Sequence, residues 1–143
     1  MIVLDASALL TLLFEAPGHE AVASVLEESS MSTVNMAEVL ARFTRDGHSS
    51  LQVLSLLQAS PIEWISFDAH QAALAADLVP RTRELGLSLG DRACLALAST
   101  LGAPAMTADQ AWMKLDLGVE VKLVDVDHAG NLLRGGERIR TAE

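Results

Sequence analysis

Ile2-Val3-Leu4-Asp5-Ala6-Ser7-Ala8-Leu9-Leu10 changes its pattern halfway. Ile2 to Leu4 is a short apolar run that reads as a buried strand, and Ser7 to Glu15 reads as a helix that Pro17-Gly18 breaks. One aspartate separates the two. A strand passing directly into a helix is the first half of a β-α unit, and the rest of the chain repeats that step.

Glu20 to Glu28 is a second helix, with Val22, Val25 and Leu26 on one face, and Met31 to Val34 is a second strand. Asn35 caps a helix running to about Arg45, which Gly47 ends. A further helix, Ser50 to Ala59, stops before Pro61. Ile62 to Phe67 is a strand, and Asp68 caps a helix that reaches about Leu85 with a break near Pro80. Ser88 begins the next helix, with its body over Ala93 to Leu101, and Gly102 closes it. Ala105-Met106 is a strand, Ala108 to Leu115 a helix and Val119 to Val124 the last strand. Strands alternating with helices predict an α/β domain: a doubly wound, mostly parallel sheet of about five strands, covered on both faces. Residues 1–124 form this domain. From about Asp125 the pattern fades, and residues 125–143 read as a loosely ordered tail.

The chain has 143 residues, enough for one domain with a sizeable core. Half of them are hydrophobic and the mean hydropathy is +0.31, which excludes wholesale disorder. No apolar run approaches the ~18 residues of a membrane span, and no basic leader precedes Ile2, so neither a membrane segment nor a secretory signal is expected. Cys94 is the single cysteine; it excludes an internal disulfide or cysteine metal cluster and suits a reducing cytoplasm. Its neighbours Ala93, Leu95 and Leu97 make it a packing residue. The formal charge of −9 argues against a simple electrostatic clamp on nucleic acid. It leaves room for a nuclease, because clustered carboxylates can be neutralised by a divalent ion that then meets phosphate.

Four acids stand where chemistry collects. Ligands of open parallel sheets bind beyond the carboxyl ends of the strands. Asp5 follows the first strand, Glu38 lies in the first turn after the second, and Asp109 follows the fourth. Asp91, at the start of the helix leading into the fourth strand, is placed there less directly. Each acid also has an ordinary structural reading. Asp5 caps its helix, Ser88 and Asp91 form a capping box, Asp109 favours a helix N-terminus, and Glu38 pairs with Arg42 across one turn. Gathered together, carboxylates raise one another's proton affinity, and a hard cation such as Mg²⁺ or Mn²⁺ removes that cost.

The residues carrying these acids form an ordered series: Val3-Leu4-Asp5-Ala6-Ser7, then Val34-Asn35-Met36-Ala37-Glu38-Val39, then Leu87-Ser88-Leu89-Gly90-Asp91-Arg92-Ala93, then Met106-Thr107-Ala108-Asp109-Gln110. The series resembles the PIN-domain ribonucleases, and in particular the VapC-type toxins of bacterial toxin–antitoxin pairs. It covers about Met1 to Val124, and its Ser-Leu-Gly-Asp-Arg segment is highly specific. The resemblance implies a Mg²⁺- or Mn²⁺-dependent endoribonuclease that cleaves a structured cellular RNA of the tRNA or rRNA class. It implies a cognate antitoxin protein and a homodimer. Asp5, Glu38, Asp91 and Asp109 are the implied catalytic acids, with Asp5, Asp91 and Asp109 on the metal. Ser7 and Thr107 match hydroxyl positions that orient carboxylates or water. Many relatives carry a fifth acid where this chain has Ala111.

Other residues carry less. Arg92 and Arg42 are candidate RNA contacts, each weighed against an ion pair or a solvated surface charge. Trp64 and Trp112 read as core or interface residues, and the four histidines show no metal-ligand spacing. Two rival functions remain. A phosphotransfer or phosphatase domain also places Asp after a first parallel strand. Dehalogenase-like phosphatases, however, want a second Asp where Ser7 stands, and receiver domains want acids ahead of Asp5 and a lysine near the last strand, whereas Lys122 lies within it. A non-catalytic PIN-like binding module is the other rival.

Overall fold

Every strand is short, and the first three are each followed by a helix that a side chain caps. The computed structural model describes residues 1–124; the expected tail, 125–143, lies outside the described residues. Strand β1 (Ile2–Leu4) is wholly buried, and Asp5 caps α1 (Ala6–Leu13) by accepting from Ala8 N. Helix α2 (His19–Val25) tightens into a 3₁₀ turn at Leu26–Glu28. Strand β2 is Ser29–Ser32, two residues ahead of its expected place. Three of its four residues are serines, so hydropathy does not reveal it; small hydroxyl side chains fill a strand buried at every position. The same offset moves the helix start. Ser32, not Asn35, caps α3 (Thr33–Arg45), and Asn35 lies buried inside the helix.

Helix α4 (Ser50–Ala59) leads to β3 (Glu63–Ile65), shorter than expected. Asp68 caps α5 (Ala69–Asp77) through Gln71 N. The break near Pro80 separates off a short α6 (Val79–Thr82) and a 3₁₀ turn ending at Leu85. Helix α7 (Leu89–Leu101) ends at the left-handed Gly102. After β4 (Ala105–Thr107), the expected last helix is a single 3₁₀ segment, Gln110–Lys114, because the chain is already extended at Leu115. β5 (Val121–Leu123) completes the described residues apart from Val124.

All neighbouring strands are parallel, in the order β3-β2-β1-β4-β5. Receiver-type domains order their strands 2-1-3-4-5, so this sheet is not a receiver's; the strand order does not bear on the phosphatase form of that rival. Alternation along β1 divides the core. Ile2 and Leu4 pack with Leu9, Val22, Met31, Val39 and Met106 on one face. Val3 packs with Cys94, Leu95, Leu97, Ala105 and Trp112 on the other. Cys94 and Trp112 are therefore core residues. The half-buried Trp64 anchors its indole N–H on the Leu57 carbonyl at 3.0 Å. No helix among the described residues is long and apolar enough to cross a membrane.

The chain leaves β1 for β2 and β3 on one side, then returns to place β4 on the other side of β1. The crevice beyond the carboxyl ends of β1 and β4 is thus the topological switch point, where such sheets bind ligands.

Candidate active site

In a parallel β-α repeat, strands end and helices begin at the same edge. This rule brings the start of α7 to the switch point as surely as the end of β1, so Asp91 is placed there as directly as Asp5. α7 packs on both α3 and β1.

Asp5 is the buried centre, 3% exposed. Its Oδ1 accepts from Ser7 Oγ at 2.7 Å and Ala8 N at 2.9 Å, and its Oδ2 accepts from Thr107 Oγ1 at 2.8 Å. The same two hydroxyls hold the loop after β4: Ser7 Oγ accepts from Ala108 N at 3.0 Å, and Thr107 Oγ1 from Asp109 N at 3.0 Å. Ser7 and Thr107 thus tie Asp5 to the segment that carries Asp109. Burial pushes the Asp5 carboxyl up from 3.8 to about 6, against the pull of these hydrogen bonds, and the negative charge of Asp91 adds to the rise.

Asp91 occupies the first turn of α7 and forms the expected capping box: its Oδ2 accepts from Ser88 N at 2.9 Å, while Ser88 Oγ accepts from Asp91 N. Glu38 is more open to solvent. Its carboxyl is nevertheless raised, first by partial burial and then by Asp91, against the lowering effect of an Asn35 hydrogen bond. Asn35 Nδ2 donates to Glu38 Oε1 at 2.9 Å and to the Gly90 carbonyl at 3.1 Å. A Cβ at Gly90 would overlap the Glu38 carboxylate, so the bare Cα leaves room for it. Asp109 is exposed, and its Oδ1 accepts from Ala111 N at 2.9 Å.

These bonds leave the same pattern at three of the four acids. Asp91 Oδ1, Glu38 Oε2 and Asp109 Oδ2 have no hydrogen-bond partner among the described residues, and Asp5 Oδ2 has only Thr107. At Asp91, Glu38 and Asp109 one oxygen belongs to the scaffold and the other is open to a ligand; at Asp5 both oxygens are held, and Oδ2 keeps a spare lone pair. As they stand, no three His, Cys, Asp or Glu side chains among the described residues are grouped to hold a metal together. The donor set suits Mg²⁺, which takes one or two carboxylates and keeps waters and substrate oxygens. Asp5 and Asp91 both stand at the switch point, and the charge of Asp91 makes the smallest addition to the raised pKa of Asp5.

The remaining residues are placed as follows. Arg42 does not pair with Glu38; it lies 3.4 Å from Asp46 Oδ2 and stacks 4.8 Å from the Phe14 ring centroid. Arg92 donates to the Ala75 carbonyl at 2.9 Å, fastening α7 to α5. Asn35 and Gly90 join the site without having been expected there from the sequence. Their signal is present in outline: an Asn three residues before an acid on one helix, and a Gly inside a helical turn.

The family model of the PIN domain matches residues 2–117. No curated protein matches the sequence significantly. Among solved structures, the chain is similar to a toxin–antitoxin complex from Klebsiella pneumoniae, at TM-score 0.60 and 19% identity over 84% of this chain and 99% of that one. It is similar to a DNA-bound VapBC from Salmonella typhimurium, at TM-score 0.66 and 13% identity over 87% and 98%. It also resembles a Mycobacterium tuberculosis VapC described as a sarcin–ricin-loop-cleaving toxin, at TM-score 0.65 and 15% identity over 84% and 99%. At these identities the likeness is one of fold.

Proposed function

The chain belongs to the PIN-domain family, and on that premise we propose that it is a divalent-metal-dependent endoribonuclease, the toxin of a VapC-type toxin–antitoxin pair. One observation supports this most: the buried Asp5 at the switch point, held by Ser7, Ala8 and Thr107, with Glu38 tied through Asn35 to the backbone beside Asp91. A carboxylate held there is costly at neutral pH until a cation joins it.

Asp5 and Asp91 would hold Mg²⁺ or Mn²⁺, with Asp109 as the third carboxylate toward the ion. Such an ion, when bound, would supply positive charge to the phosphate and lower the pKa of a water. Ser7 and Thr107 keep the Asp5 oxygens oriented and couple them to the β4 loop. Glu38 Oε2 takes the proton of the attacking water, and its raised pKa brings it closer to the working range of a base. A P–O bond forms to the water oxygen and the P–O bond to the departing sugar oxygen breaks. The substrate is a structured cellular RNA of the tRNA or rRNA class, and candidate contacts are Arg42 and Arg92.

Solved relatives that are toxin–antitoxin complexes support an antitoxin protein as the partner. A homodimer in the cytoplasm completes the reading. The exposed Leu51 and Leu56 on α4, with Leu13 and Phe14 at the end of α1, supply apolar surface for such contacts. Residues 1–124 carry the domain. The deciding experiment incubates purified, antitoxin-free protein with total cellular RNA and maps the new ends. Cleavage that stops with EDTA and in both Asp5→Asn and Asp91→Asn is expected. Intact RNA under all metal conditions would instead fit a PIN-like module that only binds.

A further inference from the structure

Asn35 stands outside the expected acid set, yet the Glu38 carboxylate rests on it. It is 1% exposed, inside α3, beside the apolar Met36, Val39 and Leu40. Its Nδ2 donates to Glu38 Oε1 and to the Gly90 carbonyl; both need a donor, so the amide can face only one way. Its Oδ1 is buried without a partner among the described residues. A buried amide with one orphaned end is poor packing, and an apolar side chain would avoid the penalty. What the amide provides is a fixed donor at one point.

We infer that Asn35 is a positioning residue that locks the Glu38 carboxylate onto the first turn of α7. The catalytic consequence rests on the nuclease reading; the lock itself does not. One Nδ2 shared between Glu38 Oε1 and Gly90 O ties the Glu38 rotamer to the backbone one residue before Asp91. Gly90 completes the seat, since a Cβ would occupy the carboxylate's place. Without the lock, like charge on Asp91 drives the long Glu38 side chain outward. The lock holds Oε1 and leaves Oε2 for the pocket.

The test compares full-length wild type, Asn35→Ala, Asn35→Asp, Glu38→Ala and the Asn35→Ala/Glu38→Ala double variant. In metal-free urea unfolding, the two alanine changes should be coupled, their combined effect on the unfolding constant differing from the product of the single effects by about twofold or more. In cleavage assays, Asn35→Ala should lower kcat roughly 10- to 100-fold with little change in KM. Asn35→Asp should lower it further, because a carboxylate replaces the donor. In the Glu38→Ala background, Asn35→Ala should change kcat by less than about twofold. Full kcat in a folded Asn35→Ala, or equal losses with and without Glu38, would overturn the inference. If wild type itself fails to cleave, the nuclease reading fails, and the unfolding cycle alone decides whether the lock exists.

Discussion

Replacing Asp5 by asparagine should stabilise the metal-free protein at neutral pH and remove its response to metal. The carboxyl is raised from 3.8 to about 6 in the folded chain. At ~1.4 kcal/mol per pKa unit, holding it ionised costs about 3 kcal/mol. Because the folded pKa lies above the unfolded one, folding takes up a proton between them. The Asp5 contribution is fully present below about pH 3.8 and is lost as pH rises through about 6. Asparagine has no charge to desolvate and fits the same bonds. Its Oδ1 still accepts from Ser7 and Ala8. Its Nδ2 donates to Thr107 Oγ1, and the Thr107 hydroxyl turns to Ser7 Oγ, 3.2 Å away. Rearranging these bonds costs about 1 kcal/mol, leaving a net gain of about 2 kcal/mol. The assay is urea unfolding in EDTA, comparing both proteins from about pH 4.5 to about pH 7.5. The advantage of the Asp5→Asn variant should grow with pH and flatten above about 6.5, and adding Mg²⁺ should narrow it by stabilising wild type alone. A pH-independent difference, or a variant less stable at neutral pH, would show that the buried carboxylate is not strained by its site.

Asp91→Asn keeps an oxygen acceptor for Ser88 N, so the fold should persist while cleavage falls on the order of 10²-fold or more, as several kcal/mol of charge stabilisation disappear with the ion; normal cleavage in a well-folded variant would remove Asp91 from the site. Gly90→Ala would ordinarily strengthen a helix by up to ~1 kcal/mol, but its Cβ meets the Glu38 carboxylate. That carboxylate is the mobile end of a long, exposed side chain and can swing aside, so the Tm should shift little while activity drops at least about tenfold; a fully active variant would contradict the packing. Mg²⁺ at ten times its Kd should stabilise wild type by about 1.4 kcal/mol, a Tm shift of about 3–5 °C at this chain length. Differential scanning fluorimetry across a Mg²⁺ or Mn²⁺ titration reads it, and the shift should vanish in Asp5→Asn.

The alternation of apolar strands with helices is legible in the sequence because each helix carries its own punctuation: Asp5, Asp68 and Ser88 at N-caps, Gly102 at a C-cap, Pro80 at a break. Strand β2 escapes its true place because Ser29, Ser30 and Ser32 give no hydropathic signal while lying fully inside. That error propagates to Asn35, which reads as the cap of α3 but is a buried interior residue. Long-range contacts are beyond reach of any local pattern. Asn35 to Gly90 spans 55 positions and Asp5 to Thr107 spans 102, and neither leaves a trace in residue spacing. The pairing of Glu38 with Arg42 fails for a local reason. Asn35 offers Glu38 a closer and desolvated donor, while Arg42 finds both Asp46 and the face of Phe14.

In the sequence, a capping role and a ligand role compete for each acid, since a cap explains an aspartate before a helix without any function. Their geometry makes the two roles compatible. Asp5, Asp91 and Asp109 all cap, and each does so chiefly through one oxygen. The capping bond fixes the carboxylate plane, and the adjoining helix N-terminus offsets part of the cost of its charge. In a parallel sheet, that same capped position faces the crevice where ligands bind. A cap at the carboxyl edge is therefore a means of holding a second oxygen ready, and the weight of three such acids exceeds the sum of their separate odds. Glu38 tests this reasoning, because it lies too deep in α3 to cap anything. It obtains its fixed oxygen from Asn35 instead, the side chain in the described site that supplies what the backbone amides supply to the other three.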